Sequence, residues 1–224
     1  MSEAVHEKSN GGGPLQQPSL VELSTQAIRR RILTGELPAG SKLREEHLRE
    51  ELGISRPPLR EALRILEQEG LVVKVPRVGA QVVSLTRHDY WELLTLRHAL
   101  ETLAFQLALP VKDPGRLKTC REALSAMEEC ARDNSAAGMV DAGYRFHLSL
   151  VRLADHGRIV DVYESLQAQL KLCMALNTTT GDESLDHNVQ RHRDLFAPIE
   201  AGDVEGALAA LRAHGEGRFL DVAP

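Results

Sequence analysis

Residues 53–72 read GISRPPLREALRILEQEGLV and place three guanidinium groups, Arg56, Arg60 and Arg64, at four-residue steps. At about 100° per residue, Leu59, Ala62, Leu63 and Leu66 share one helix face, and the arginines stand on a neighbouring, outward face. Ser55 is expected to be the N-cap, which puts Pro57 and Pro58 in the first turn. Backbone N–H groups there have no intrahelical acceptor, so proline sacrifices nothing. A helix of this build fits the major groove of B-DNA. One arginine can clasp guanine O6 and N7 while its neighbours hold phosphates, and the positive end of the helix suits the same anions. Arg77, at the tip of VPRVGAQ beside Gly79, is placed for a minor-groove or phosphate contact. Arg44, at the start of the preceding helix, joins this basic set. The bland alternative is a solvated charged face that Glu61, Glu67 and Glu69 partly neutralise.

A second group of residues could bind metal. DAGYRFHLSL, NVQRHRDLFAPIEAGD and ALAALRAHGEGRF each set one histidine, His147, His192 and His214, beside apolar residues in a helical pattern. Three neutral imidazoles converging in a bundle interior make a site for zinc, nickel or another divalent ion. Taken singly, a histidine in such a setting is more often a partly buried polar residue. His98 and His187 fit no such pattern and read as surface residues. The three cysteines, Cys120, Cys130 and Cys173, form no CxxC pair and read as free thiols in a reducing cytoplasm.

The elements that must carry these groups follow from periodicity. Helices are expected from about Ser19, over 44–52 ending at Gly53, and from Ser55 onward; LVVKV and AQVVSL, joined by PRVG, form a hairpin. Helix, helix, tight turn, helix and hairpin describe a winged helix-turn-helix. It is this context that sets aside the bland reading of the arginines. Beyond Thr86 the strand signals vanish, and six helices are expected over about 87–109, 114–133, 136–154, 158–177, 184–201 and 204–220, with Asp203 capping the last. Short loops between long amphipathic helices imply an antiparallel bundle.

Composition narrows the function classes. The 224 residues are 42% hydrophobic and 26% charged, with no apolar run near the roughly 18 residues that span a bilayer. The opening MSEAVHEKSNGGGPLQQP has neither the basic nor the apolar region of a secretory signal and reads as a disordered arm. Net charge is −5, but residues 1–86 carry 12 Lys and Arg against 11 Asp and Glu, while the remainder carries 15 against 21. The less acidic part is the one holding the arginine helix.

LPAGSKLREEHLREELGISRPPLREALRILEQEGLV with VPRVGAQV resembles the DNA-binding domain of GntR-type bacterial transcription regulators, over about residues 20–85. The resemblance implies a dimer reading a short palindrome, with Arg56 and Arg60 as the main DNA-contacting side chains. Where the family often has Thr, this chain has Pro57, so one hydroxyl contact to phosphate is missing; where some members carry a basic residue, it has Glu46. LRHALETLAFQLA, then FH, then RHRDLFAPIEAGDVEGALAALRAH, is similar to the all-helical FCD effector domain of the FadR-type branch, over about 87–220. There the implied ligand set is three histidines and one aspartate four residues before the first. Gly143 stands at that position, and Asp141, six residues back, faces elsewhere by about 240°. Arg97 matches an arginine that points into the effector cavity in the family, where a guanidinium suits a carboxylate; an ion pair with Glu101 is its alternative.

The fold class expected is mainly α: a winged helix-turn-helix over 19–85 after an arm over 1–18, and an antiparallel helical effector-binding and dimerisation bundle over 86–224. The function expected is that of a cytoplasmic, homodimeric transcription regulator, a repressor of a palindromic DNA operator. A small carboxylic acid held by Arg97, His147, His192 and His214 would control it, with or without a metal, and the segment around Ser84–Asp89 would act as lever, with Tyr90 and Trp91 near the domain junction or the dimer interface. No HExxH or HxE motif supplies a general acid or base beside the histidines, which counts against a metal-dependent enzyme. A DNA-organising protein without effector control is the remaining alternative, distinguished by nearly sequence-blind binding.

Overall fold

The computed structural model describes residues 18–180 and 184–219. Residues 1–17 of the expected arm and residues 220–224 lie outside the described residues. Helix α1 (Leu20–Leu33) starts at a capping box in which the Ser19 hydroxyl accepts from the Glu22 N–H and Glu22 accepts from the Ser19 N–H. Helix α2 (Glu45–Leu52) has Arg44 at its N-cap position and stops at Gly53. Helix α3 (Arg56–Gln68) follows after a three-residue turn, Gly53–Ser55. Strands β1 (Val72–Val75) and β2 (Gly79–Val82) pair antiparallel, Val72 opposite Val82 and Val75 opposite Gly79, as the wing. Ile28 and Ile32 of α1, Leu48 of α2, Leu59 and Leu66 of α3, and Val72 and Val82 of the wing close one buried cluster. Burying each such side chain contributes about 1.5–3 kcal/mol, and together they fix the angle at which α3 is presented.

The cap of α3 differs from expectation. Ser55 occupies the N-cap position but makes no side-chain cap bond. An N-cap oxygen bonds the N–H of the second or third helical residue, and here those residues are Pro57 and Pro58, which have none. The Ser55 hydroxyl is thereby left exposed, and of the first three helical residues only Arg56 offers an amide.

The second half holds α4 (Arg87–Ala108), a 3₁₀ turn (Pro114–Leu117), α5 (Lys118–Arg132), α6 (Ala136–Arg152), α7 (Gly157–Ser165), α8 (Gln167–Thr180), α9 (Leu185–Glu200) and α10 (Val204–Phe219). The single helix expected over 158–177 is therefore two, broken at Leu166. No Gly or Pro marks the break. The half-buried Leu166 packs on the cluster of Ala104, Tyr163 and Leu170, and its N–H bonds the Tyr163 carbonyl in a tight turn that redirects the chain. Asp203 does cap α10, accepting from the Gly206 N–H at 2.9 Å. Helix α6 is the axis of the bundle: from Met139 to Val151 it is buried on nearly every side, with Phe105, Phe196 and Met127 in the cluster around its Phe146. Among the described residues no helix is long and apolar enough to cross a membrane.

Candidate nucleic-acid interface and candidate metal centre

Helix α3 buries Leu59, Ala62, Leu63 and Leu66 and leaves the Arg56, Arg60 and Arg64 side chains 67%, 67% and 55% exposed. Each arginine is held by a carboxylate. Arg60 Nε donates to Glu45 Oε2 at 3.0 Å, Arg56 Nη2 to Glu46 Oε2 at 3.4 Å, and Arg64 to both oxygens of Glu61. Glu45 and Glu46 sit on α2, so the sequence reading, which weighed Glu61, Glu67 and Glu69, missed the carboxylates that hold Arg60 and Arg56. Exposed pairs of this kind are weak, and a guanine edge or a phosphate can take the guanidinium from them.

Arg44, Ser55 and Pro57 are exposed, and Gly79 is exposed where the wing returns. In the wing turn the Val78 N–H bonds the Val75 carbonyl at 3.1 Å across Pro76 and Arg77. Arg77 takes φ 65°, in the left-handed region that such a turn ordinarily gives to glycine or asparagine. A β-carbon there is strained, and strain of this kind marks functional positions.

In the bundle the three histidines meet. His147 from α6, His192 from α9 and His214 from α10 place one ring nitrogen each within 4.8 Å of the others, with ring centroids 4.8 to 5.1 Å apart. Their proton positions follow from their outer partners. His192 Nδ1 lies 2.7 Å from the Asn188 carbonyl, which only accepts, so the proton is on Nδ1. His147 Nδ1 approaches Glu101 Oε1 at 3.1 Å, close though poorly aligned, and a carboxylate likewise only accepts. Both Nε2 atoms are then bare, and they face each other at 3.1 Å. His214 Nδ1 is buried with no hydrogen-bond partner.

Burial, with Arg97 second, lowers His147 to about 4, and burial holds His192 and His214 well below the ordinary imidazole value. The rings are neutral near pH 7, so no proton of their own relieves the facing lone pairs. A cation does, and three neutral imidazoles are a donor set for zinc or nickel. A tetrahedral zinc spaces its nitrogens by about 3.4 Å, close to the His147–His192 separation. The residues present fit the ion.

A family model described as "Bacterial regulatory proteins, gntR family" matches residues 24–82, and one described as "FCD domain" matches residues 92–217. The chain belongs to the GntR family. Members of this FCD-bearing group are DNA-binding transcriptional regulators, not enzymes. The chain is 32% identical over 183 residues to the "Probable D-xylose utilization operon transcriptional repressor" of Paenarthrobacter nicotinovorans, covering 82% of this chain and 80% of that one. It is 28% identical to the gluconate operon transcriptional repressor of Bacillus subtilis, over 67% of this chain and 61% of that one. A GntR regulator from Rhodococcus sp. RHA1 shares the fold at TM-score 0.76 with 24% identity, covering 90% of this chain and 96% of that one.

Two features separate this GntR-family chain from the ligand set expected of it. Arg97 donates through Nε to Glu101 Oε1 at 2.9 Å, and the same oxygen accepts from Tyr163 Oη at 2.8 Å. Burial opposes charge on both partners, but each answers the other, so Glu101 stays ionised and Arg97 stays charged. Arg97 also lines the two small cavities beside the histidines, of about 30 and 40 Å³, as do Met174, Arg191 and His214. The ion pair with Glu101, the alternative that the four-residue spacing offered for Arg97, is thus present, whereas Arg191 was not among the sequence candidates. Glu101 lies on the Nδ1 side of His147 and cannot stand in for the missing aspartate.

Gly143 lines the cavity of about 40 Å³ with all three histidines, and Asp141, on the other side of the helix, is exposed and paired with Lys171 at 2.6 Å. A Cβ at Gly143 would meet only Met127 Cε, at an ordinary 3.7 Å. A Cβ is therefore accommodated at Gly143, and Gly143→Asp puts a carboxylate at the position where the family resemblance implies one. Its expected effect is a rise in Zn²⁺ affinity of about tenfold or more, no smaller than the changes produced by outer-sphere partners, read by competition with a chromogenic chelator.

Proposed function

We propose that this GntR-family protein is a cytoplasmic, homodimeric repressor of a palindromic operator, controlled by a small carboxylic acid bound in the bundle. The arm over 1–18, the winged domain over 19–85 and the effector and dimerisation domain over 86–224 are its working parts. Arg56 and Arg60 read base edges; Arg44, Ser55, Pro57, Arg64, Arg77 and Gly79 set the backbone contacts and the register. His147, His192 and His214 hold a divalent ion, and Arg97 shares the cavity with them.

The observation that carries the effector half is the pair of bare Nε2 atoms facing each other at 3.1 Å in a buried pocket. When bound, the ion supplies a Lewis-acidic anchor for an incoming carboxylate. The chain does the rest. Glu101 and Asn188 fix the proton positions of two imidazoles, and Arg97 and Arg191 offer positive charge at the cavity wall. Burial excludes the water that would compete for the acid. An effector shifts DNA affinity only as far as it prefers one arrangement of the winged domains.

The reading is tested by titrating the full chain with a fragment of its own upstream DNA and with random DNA, each with and without Zn²⁺ and short carboxylic acids. Affinities equal for the two DNAs overturn it.

Support for a second copy comes from α4. Leu96, Leu103 and Leu107 fall within about 40° of one another around the helix and are 42%, 43% and 54% exposed. An apolar stripe of this size on a regulator suits a partner surface. Leu103→Glu with Leu107→Glu buries two unpaired charges in that surface and is expected to weaken dimerisation by more than about tenfold, so that light scattering finds monomer at micromolar concentration.

A further inference from the structure

The proposed function leaves open how the histidine cavity reaches the DNA-reading helix, and α8 joins them directly. Ala168 and Leu172 lie one turn apart on one face of α8, and both are buried in the winged domain's cluster with Ile28, Ile32, Leu59 and Leu66. The opposite face carries Leu170, buried in the bundle, and Cys173 and Met174, which line the cavity beside Arg97 and His214. Met174 also lines the space shared by His147, His192 and Gly143.

On one flank Gln169 reaches Gly70, the turn that ends α3. Gly70 has φ 74°, and a Cβ there would collide with Gln169 Nε2. On the other flank Lys171 pairs with Asp141 of α6 and sits 5.2 Å over the Tyr144 ring, tying α8 to the central helix. Two open grooves, of about 820 and 640 Å³, border this seat: one between α1 and α3 and the bundle, one between the wing and α4. The winged domain thus rests on a narrow ridge with room to tilt on both sides, while Val83–Leu85 alone separates β2 from the Thr86–Asp89 capping box of α4.

We infer that Gln169 and Leu172 are positioning residues for α3, and that α8 carries occupancy of the histidine cavity to the recognition helix. A side chain displaced at Met174 moves a helix whose other face is part of the winged domain's own core, and close-packed cores pass such shifts on rather than absorb them. The inference rests on the metal and DNA reading above and adds the route between them.

The test uses the full-length protein, its upstream DNA fragment and Zn²⁺ alone as probe. Wild type is expected to change its DNA affinity by about fivefold or more on saturation with Zn²⁺, the lower end of usual couplings. Gln169→Ala and Leu172→Ala are each expected to bind Zn²⁺ within about twofold of wild type while the Zn²⁺-dependent change in DNA affinity falls below about twofold. Leu172→Met restores it. Circular dichroism checks the fold, and Gln169→Ala, which removes no core volume, keeps the test valid where Leu172→Ala unfolds. Variants that respond to Zn²⁺ as fully as wild type overturn the inference, as does a wild type that binds both DNA and Zn²⁺ without coupling. A wild type that binds no DNA specifically, or no Zn²⁺, overturns the reading beneath it as well.

Discussion

Arg56→Ala combined with Arg60→Ala is expected to lower affinity for the upstream DNA by about a hundredfold or more if α3 is the reading helix proposed above, since a bidentate guanidinium–guanine pair discriminates strongly on its own. The loss does not come through the fold. Both side chains are two-thirds exposed, and the face that holds α3 in place is the opposite one, with Leu59 and Leu66 fully buried. What the free protein gives up is two exposed contacts to Glu46 and Glu45, which solvent screens heavily. Fluorescence anisotropy at one fixed salt concentration measures the effect, with circular dichroism as the control. Arg64→Ala has a smaller effect, since Arg64 is tied to Glu61 within its own helix. Affinity within twofold of wild type in the double variant sinks the assignment of α3 as the reading helix.

Glu101→Ala destabilises the metal-free protein by about 3–5 kcal/mol, the range found when one member of a buried ion pair is removed. Glu101 is buried at the junction of α4, α6 and α7, and its Oε1 alone serves Arg97, Tyr163 and His147. Alanine leaves a buried guanidinium with no countercharge and a tyrosine hydroxyl with no acceptor. In a chain of this length that corresponds to a fall of roughly 10 °C in the thermal midpoint. Removing both charges, as in Glu101→Ala with Arg97→Met, recovers much of the loss, because the penalty lies in the orphaned partner. The same variant costs Zn²⁺ affinity about 10- to 100-fold, since His147 loses the group that holds its proton on Nδ1. An unchanged midpoint in Glu101→Ala contradicts this account.

The arginine helix was legible because its apolar positions repeat at the helical period and every one of them is buried where that period places it. Gly53 and the wing were legible from turn chemistry. The missing cap bond of α3 was not legible from Ser55 alone; it follows from Pro57 and Pro58, which offer its oxygen no N–H. The break at Leu166 was not legible. YESLQAQ carries no helix-stopping residue, and the turn exists because Leu166 and Leu170 pack into the bundle while Ala168 and Leu172 are drawn the other way. The pairing of Arg97 with Glu101 was legible from their four-residue spacing, but the other partners of Glu101, Tyr163 and His147, were not. The burial of Glu101 depends on α6 and α7 closing over it, a contact 62 residues away in the case of Tyr163. That three histidines share a pocket is a property of the packing of α6, α9 and α10, which the spacing of single residues cannot convey.

The two prolines that open α3 bear on the thermodynamics of docking as well as on its geometry. A ring-locked first turn has few alternative backbone states to surrender, so it enters the groove already ordered. Only the flexible arginine stems are then immobilised on contact, and calorimetry of the complex reports chiefly on those stems and the ions they displace from the duplex.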